Sequence, residues 1–247
     1  MRDRGPTLLL TRPEAQATAF AADFAARFGH DVPVIASPVL RIVPVAARLS
    51  LDGVTGLIFT SGRAVARFVQ LSDNRALSAY CVGERTAALA RKAGLAARIA
   101  GTDAQGALDF LRAEPPGGRL LHLRGRHSRG DIGASLRAAG QPCEEVVVYD
   151  QQEQPLDRAA QALLAGCAPI LLPLFSPRSA AIVSGQMHQA AAPIAVAAIS
   201  RATMVAWSGP VPALTRIAVR PDASAMLDAL DELIDACHRL ETEHRPR

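Results

Sequence analysis

The chain has 247 residues, a formal charge of +4, and 49% apolar against only 4% aromatic residues. That is enough for two cores built mainly from Ala, Val, Leu and Ile, and it excludes a disordered chain. The four cysteines (Cys81, Cys143, Cys167, Cys237) are scattered without a C-x-x-C, which excludes a zinc ribbon, a dithiol redox motif and a disulfide framework.

The predicted elements alternate. Thr7–Thr11 reads as a strand, followed by a helix that begins near Pro13 and stops at Gly29. Val32–Ile35 is a second strand. Ser37–Val45 carries Pro38 and Pro44 and reads as extended, a candidate linker. Leu57–Thr60, Ala79–Val82, Ala97–Ala100 and Arg119–Leu123 are further strands, with Gly94 and Gly140 where helices should end. Pro115-Pro116-Gly117-Gly118 is the strongest turn signal. Val146–Asp150 is an apolar run ending at Tyr149-Asp150, and the polar Gln151–Pro155 after it is a second candidate linker. Then come helix 156–165, strand 169–175, helix 178–187, strand 194–199, helix 201–208, strand 214–219 and helix 222–240, with a frayed tail from Glu241. Such alternation predicts α/β architecture with parallel sheets and right-handed crossovers.

One motif appears twice. Gly56-Leu57-Ile58-Phe59-Thr60-Ser61-Gly62-Arg63-Ala64-Val65 is a buried strand running into a hydroxyl-bearing turn and a helix, and Leu171-Leu172-Pro173-Leu174-Phe175-Ser176-Pro177-Arg178-Ser179-Ala180 repeats it. The echo continues downstream, with Cys81-Val82-Gly83-Glu84-Arg85-Thr86 answered by Ala198-Ile199-Ser200-Arg201-Ala202-Thr203 at nearly the same separation. Upstream of each lies a strand, an arginine and a turn, at Leu8–Pro13 and at Leu120–Gly125. A strand-end hydroxyl is by default a helix N-cap, while the first-turn N–H groups behind it can bind an anion. Two matching copies predict a ligand held between two similar halves.

The cations are almost all arginine, Lys92 being the only lysine. Codon bias accounts for the total; position carries the information. Arg12, Arg63, Arg85, Arg124, Arg126, Arg129, Arg178 and Arg201 all fall at or just after predicted strand ends, where open parallel sheets bind ligands. The basic stretch Leu123–Gly130 has no interleaved aromatics for base stacking, so a carboxylate-binding turn is favoured over a nucleic-acid patch. Val82-Gly83-Glu84-Arg85-Thr86 is not G-x-G-x-x-G and no P-loop occurs, which argues against a nucleotide. The six histidines form no H-x-x-x-H, and Ser176 lacks the G-x-S-x-G context, so neither a metal centre nor a serine triad is expected. Leu8-Leu9-Leu10 is too short for a signal peptide and no apolar run approaches the roughly 18 residues of a membrane span, so a soluble cytoplasmic protein is expected.

Several of these segments together resemble uroporphyrinogen-III synthase. They are Leu9-Leu10-Thr11-Arg12-Pro13, Pro38-Val39-Leu40, Ile58-Phe59-Thr60-Ser61 with Ala64-Val65, Val82-Gly83 with Thr86-Ala87, Val148-Tyr149, and Phe175-Ser176-Pro177, in the family's order. The resemblance implies two flavodoxin-like α/β domains joined by a two-stranded linker, the first domain discontinuous. On that pattern residues 1–36 and 152–247 form the first domain, 37–43 and 148–151 the linker strands, and 44–147 the second.

The resemblance also implies a cofactor-free lyase, free of metal, that closes the linear tetrapyrrole hydroxymethylbilane into uroporphyrinogen III with ring D inverted. The substrate loses its hydroxymethyl oxygen to give an azafulvene, and ring D attacks through its substituted carbon. A spiro intermediate then fragments and recloses. Tyr149 matches the family's candidate general acid; a phenol with an ordinary pKa of about 10 is protonated at neutral pH, as donation requires. Contacts to the eight substrate carboxylates map to Thr60, Ser61, Thr86, Ser176 and Thr203, with Arg12, Arg124 and Arg201 as charge partners. The chain departs from the family at Ser200-Arg201-Ala202, where Gly-Pro-Thr is common. The expected partner is the small-molecule tetrapyrrole alone, with neither nucleic acid nor membrane, and the expected state a monomer. Two other readings remain: a non-catalytic two-lobed binding protein for a small polycarboxylate, and a synthase fold that has lost activity.

Overall fold

The computed structural model describes residues 5–127 and 130–243. In chain order it contains β1 (Thr7–Leu10), α1 (Glu14–Phe28), β2 (Val34–Ala36), β3 (Leu40–Pro44), β4 (Val54–Phe59), α2 (Gly62–Leu71), β5 (Ser78–Val82), α3 (Glu84–Lys92), β6 (Ala96–Gly101) and α4 (Ala104–Ala113). It continues with β7 (Arg119–Gly125), α5 (Ile132–Ala138), β8 (Cys143–Glu153), α6 (Arg158–Leu164), β9 (Ile170–Leu174), α7 (Pro177–Gly185), β10 (Ile194–Ala198), α8 (Arg201–Val205), β11 (Leu214–Ile217) and α9 (Ala223–Glu243). The fold is α/β with mostly parallel sheets, as the alternation predicts. The chain divides into two compact units, residues 1–41 with 152–247, and residues 42–151.

The first unit carries a five-stranded, wholly parallel sheet in the order β11-β10-β9-β1-β2. Counted within the unit this is the 2-1-3-4-5 order of flavodoxin. The central strands β1, β9 and β10 are buried along their whole length, which is why Leu8-Leu9-Leu10 and Ile170-Leu171-Leu172 are continuous apolar runs instead of alternating ones. Their side chains still alternate between faces. Leu8, Leu10 and Leu171 pack with Phe20 and Phe24 of α1 and with Met226, Leu230 and Leu233 of α9. Leu9, Ile170, Leu172 and Leu174 pack on the opposite face with Leu164, Ala180 and Val183. Pro173 lies inside β9, where its missing N–H would break a ladder bond. The paired register of β9 with β1 stops at Leu171, two residues short of it. The two strands are therefore unpaired at their carboxyl ends, where the strand order reverses.

The second unit orders its sheet β3-β8-β7-β4-β5-β6. β8, β7, β4, β5 and β6 are mutually parallel, giving the 3-2-1-4-5 order of doubly wound folds when counted within the unit. β3 runs antiparallel beside β8: the Val45 N–H donates to the Val148 carbonyl at 3.0 Å and the Gln154 N–H to the Val39 carbonyl at 2.9 Å. β8 is longer than the apolar run suggests. Gln151, Gln152 and Glu153, read from sequence as polar linker, are strand residues. Pairing with β3 keeps them extended, and Arg41 Nη2 donates to Gln152 Oε1 across that ladder. The C-terminal helix runs through Glu243, and residues 244–247 of the tail expected to fray lie outside the described residues.

A buried charge cluster sits on one face of this sheet. His122 is only 2% exposed. Its Nδ1 lies 3.2 Å from Glu145 Oε1, and Arg124 Nε is 3.1 Å from the same oxygen. Arg137 Nη2 is 3.7 Å from the other carboxylate oxygen. Burial lowers the His122 pKa most; Glu145 pulls it upward without cancelling this, and the neighbouring Arg124 cation lowers it further. A base whose pKa is depressed on folding binds more protons unfolded. Stability is therefore full above the unfolded value near 6.5 and falls as pH drops below it. Urea unfolding of the wild type should lose more stability between pH 7.5 and 5.5 than that of His122→Gln. Identical pH dependence in the two proteins would show that folding leaves the His122 pKa unshifted.

Candidate functional site

In doubly wound sheets ligands bind at the carboxyl ends of the strands where the order reverses. In the second unit that point lies between β4 and β7. β4 delivers Thr60 and Ser61 there. Ser61 has extended backbone (φ −156°) and its hydroxyl accepts the Ala64 N–H, capping α2. Ser176 caps α7 in the same way (φ −160°, from the Ser179 N–H), and Ser200 caps α8 (φ −163°, from the Thr203 N–H). The repeated hydroxyl turn of the sequence is thus one local structure built three times.

Tyr149 reaches this point through a register shift. Along β7 and β8, Arg124 stands opposite Val147 but Gly125 stands opposite Tyr149, one residue being skipped. Strict alternation would put Val148 and Tyr149 on opposite faces; the shift lets both join the core cluster of Leu57, Phe59, Val65 and Leu123. The Tyr149 ring lies against Gly125, where an added Cβ would be 2.6 Å from two ring carbons. Its hydroxyl is 3.0 Å from Ser61 Oγ. Arg67 fixes the strand from behind, its Nε donating to the Val148 carbonyl at 3.0 Å. Sequence placed Tyr149 at the end of an apolar run beside a linker; the structure buries it to 6% exposure.

The other sequence-predicted residues divide. Thr60 is half-buried at the end of β4, beside Ser61. Thr86 is buried on α3. Arg124 joins the Glu145 cluster, and Arg126 donates to Asp150 at 2.9 Å. Ser128 and Arg129 of the same basic stretch lie outside the described residues. In the first unit the reversal lies between β1 and β9. Arg12 follows β1 and stacks its guanidinium 3.8 Å from the centre of the Phe175 ring, next to Ser176. Arg178 is 3.7 Å from Glu153. Thr203 is wholly buried, with Oγ1 3.0 Å from Ser200 Oγ. Arg201 is exposed at the start of α8.

Two residues that sequence reading left at strand ends without a ligand role stand out. Arg63 lies on the first turn of α2, partly buried, close enough to Tyr149 and Arg85 for their charges to act on it. Burial lowers its pKa first, the phenol oxygen raises it, and the neighbouring Arg85 cation lowers it again. No carboxylate among the described residues pairs with Arg63 or Arg85 within ion-pair distance. A signal existed in the spacing: Ser61-Gly62-Arg63, Gly83-Glu84-Arg85 and Ser176-Pro177-Arg178 each set an arginine two residues after a helix cap. Among the described residues no group of three His, Cys, Asp or Glu side chains is arranged to hold a metal ion, and no helix is long and apolar enough to cross a membrane.

Two doubly wound units, each with capped helices and arginines at the carboxyl ends of its strands, define a two-unit α/β protein with mostly parallel sheets. A family model described as uroporphyrinogen-III synthase HemD matches residues 22–228. The chain belongs to that family, which acts in tetrapyrrole synthesis. Among solved structures, the uroporphyrinogen-III synthetase of Helicobacter pylori aligns at 16% identity with a TM-score of 0.67, covering 92% of this chain and 99% of that one. A mutant uroporphyrinogen III synthase from Thermus thermophilus aligns at 15% identity with a TM-score of 0.53, covering 94% and 100%. At such identities the likeness shows the fold. No curated protein matches the sequence. The family match bears out the resemblance read from the motifs, and nothing here favours the two-lobed binding protein.

Proposed function

We propose that this protein is a cofactor-independent hydro-lyase that closes hydroxymethylbilane to uroporphyrinogen III, with Tyr149 as general acid. The observation that carries the reading is the Tyr149 hydroxyl, set 3.0 Å from Ser61 Oγ at the switch point of a chain that belongs to this family. A buried phenol beside the Arg63 cation suits proton donation, because the cation favours the negative charge that donation leaves on the phenol oxygen. The rest of the task is positioning: the same flexible bilane closes to the uninverted isomer when nothing holds it.

Carboxylates suit the strand ends of both units. Thr60 and Thr86, with Arg63 and Arg85, supply donors in one; Arg12, Ser176 and Arg201 supply them in the other, with Arg124 in a supporting place through Glu145 and the buried Thr203 in one through Ser200. Charge-assisted hydrogen bonds of this kind are roughly twice as strong as neutral ones. The reading takes the protein as a cytoplasmic monomer acting on a small molecule. A small-molecule partner suits its outward arginines better than nucleic acid does, since Arg27, Arg98, Arg119, Arg216 and Arg220 each pair with a nearby Asp or Glu instead of forming a basic stripe.

Calorimetric titration with uroporphyrinogen III tests the assignment. Thr60→Ala and Ser176→Ala should each weaken binding by about 0.5–1.5 kcal/mol. Melting curves run alongside, because Ser176 also caps α7. Unchanged affinity in both variants would remove the strand-end hydroxyls from the binding site.

A further inference from the structure

Ser61 Oγ makes two hydrogen bonds, accepting the Ala64 N–H at 3.3 Å and sharing one with Tyr149 Oη at 3.0 Å. A hydroxyl has one proton to give. If Tyr149 donated to Ser61, its only proton would be spent inside the protein. Ser61 has already filled an acceptor position with a backbone N–H, which polarises its O–H toward donation. It also sits at the positive end of α2, where a donated proton bond to a growing negative charge is favoured.

We propose that Ser61 is a positioning residue that donates its O–H to Tyr149 Oη, turning the phenol proton toward the substrate and holding the phenolate left behind. This rests on Tyr149 being the general acid. In the step, the Tyr149 O–H bond breaks and its proton passes to the hydroxymethyl oxygen. The carbon–oxygen bond breaks with its electron pair going to oxygen, and water leaves. The pyrrole nitrogen lone pair fills the deficit at carbon, giving the azafulvene cation beside a phenolate. The proton lost from the ring carbon on closure restores the phenol. Ser61 therefore acts through Tyr149, whereas a serine that bound a substrate carboxylate would act on affinity.

Steady-state kinetics with hydroxymethylbilane on five variants separates the two. Ser61→Ala should lower kcat roughly 10- to 100-fold, the worth of one hydrogen bond to a charged group, with little change in KM. Ser61→Thr, which keeps both acceptor and donor, should restore most of the rate. Ser61→Asp keeps an acceptor for the Ala64 N–H but has no proton to give at neutral pH; it should melt like the wild type yet turn over slowly, which holds the test open if Ser61→Ala folds poorly. In the Tyr149→Phe background, Ser61→Ala should change kcat by less than about twofold, because its partner is gone. An equal fall in kcat in that background, or a raised KM with unchanged kcat in Ser61→Ala, overturns the proposal while leaving Tyr149 as the acid. Wild-type kcat in Tyr149→Phe alone overturns both.

Discussion

Tyr149→Phe should lower kcat by roughly 10²–10⁴, the usual worth of a positioned general acid. The change removes one oxygen and leaves the ring against Gly125 and within the core of the second unit. Ser61 loses one hydrogen bond but keeps the Ala64 N–H, so α2 stays capped. Stability should fall by no more than about 1.5 kcal/mol, the net value of one hydrogen bond. Substrate affinity should hold, since the phenol is asked to act in the transition state and not in the ground state. The measurement is single-turnover decay of hydroxymethylbilane at saturating enzyme, with circular dichroism to verify folding. Wild-type turnover in a folded variant would reduce Tyr149 to a wall residue.

Gly125→Ala should be nearly as severe, by a different route. The added Cβ would stand 2.6 Å from Cε2 and Cζ of Tyr149 and 2.9 Å from its oxygen. The ring has no room to retreat, because Phe59, Val65, Leu121 and Leu123 share its cluster. Gly125 is not among the glycines with positive φ, so the backbone tolerates alanine and the penalty is steric alone. Overpacking of this kind costs typically 1–3 kcal/mol of stability. Forcing the ring aside also breaks the 3.0 Å contact with Ser61, so kcat should fall with the melting temperature. Thermal melts and turnover of Gly125→Ala check both parts. Wild-type behaviour in both would mean that the ring does not need this contact.

What could be read from the sequence is what is local. A serine three residues ahead of the N–H it accepts is a cap whatever surrounds it, so Ser61 and Ser176 were legible as strand-end turns. Buried strands between helices made the parallel sheets legible too. Tyr149 was misplaced because its burial depends on a register shift between two strands whose paired residues, Gly125 and Tyr149, are far apart in the chain. Arg124 looked like a free strand-end cation for the same reason: its partner Glu145 stands on the neighbouring strand, invisible to spacing. Arg63 was the converse. Its value comes from closeness to Tyr149 and from the lack of a carboxylate beside it among the described residues, and only the folded chain shows either. The departure at Ser200-Arg201-Ala202 has a local outcome as well: Ser200 caps α8 by accepting the Thr203 N–H.

The most direct measurement is the isomer made. Purified protein, treated with EDTA and dialysed, is incubated with hydroxymethylbilane, and the oxidised products are separated by chromatography. The account predicts the type III isomer, formed well above the uncatalysed rate and unchanged by EDTA. Type I isomer alone at the uncatalysed rate would contradict it, as would activity abolished by EDTA and restored by zinc.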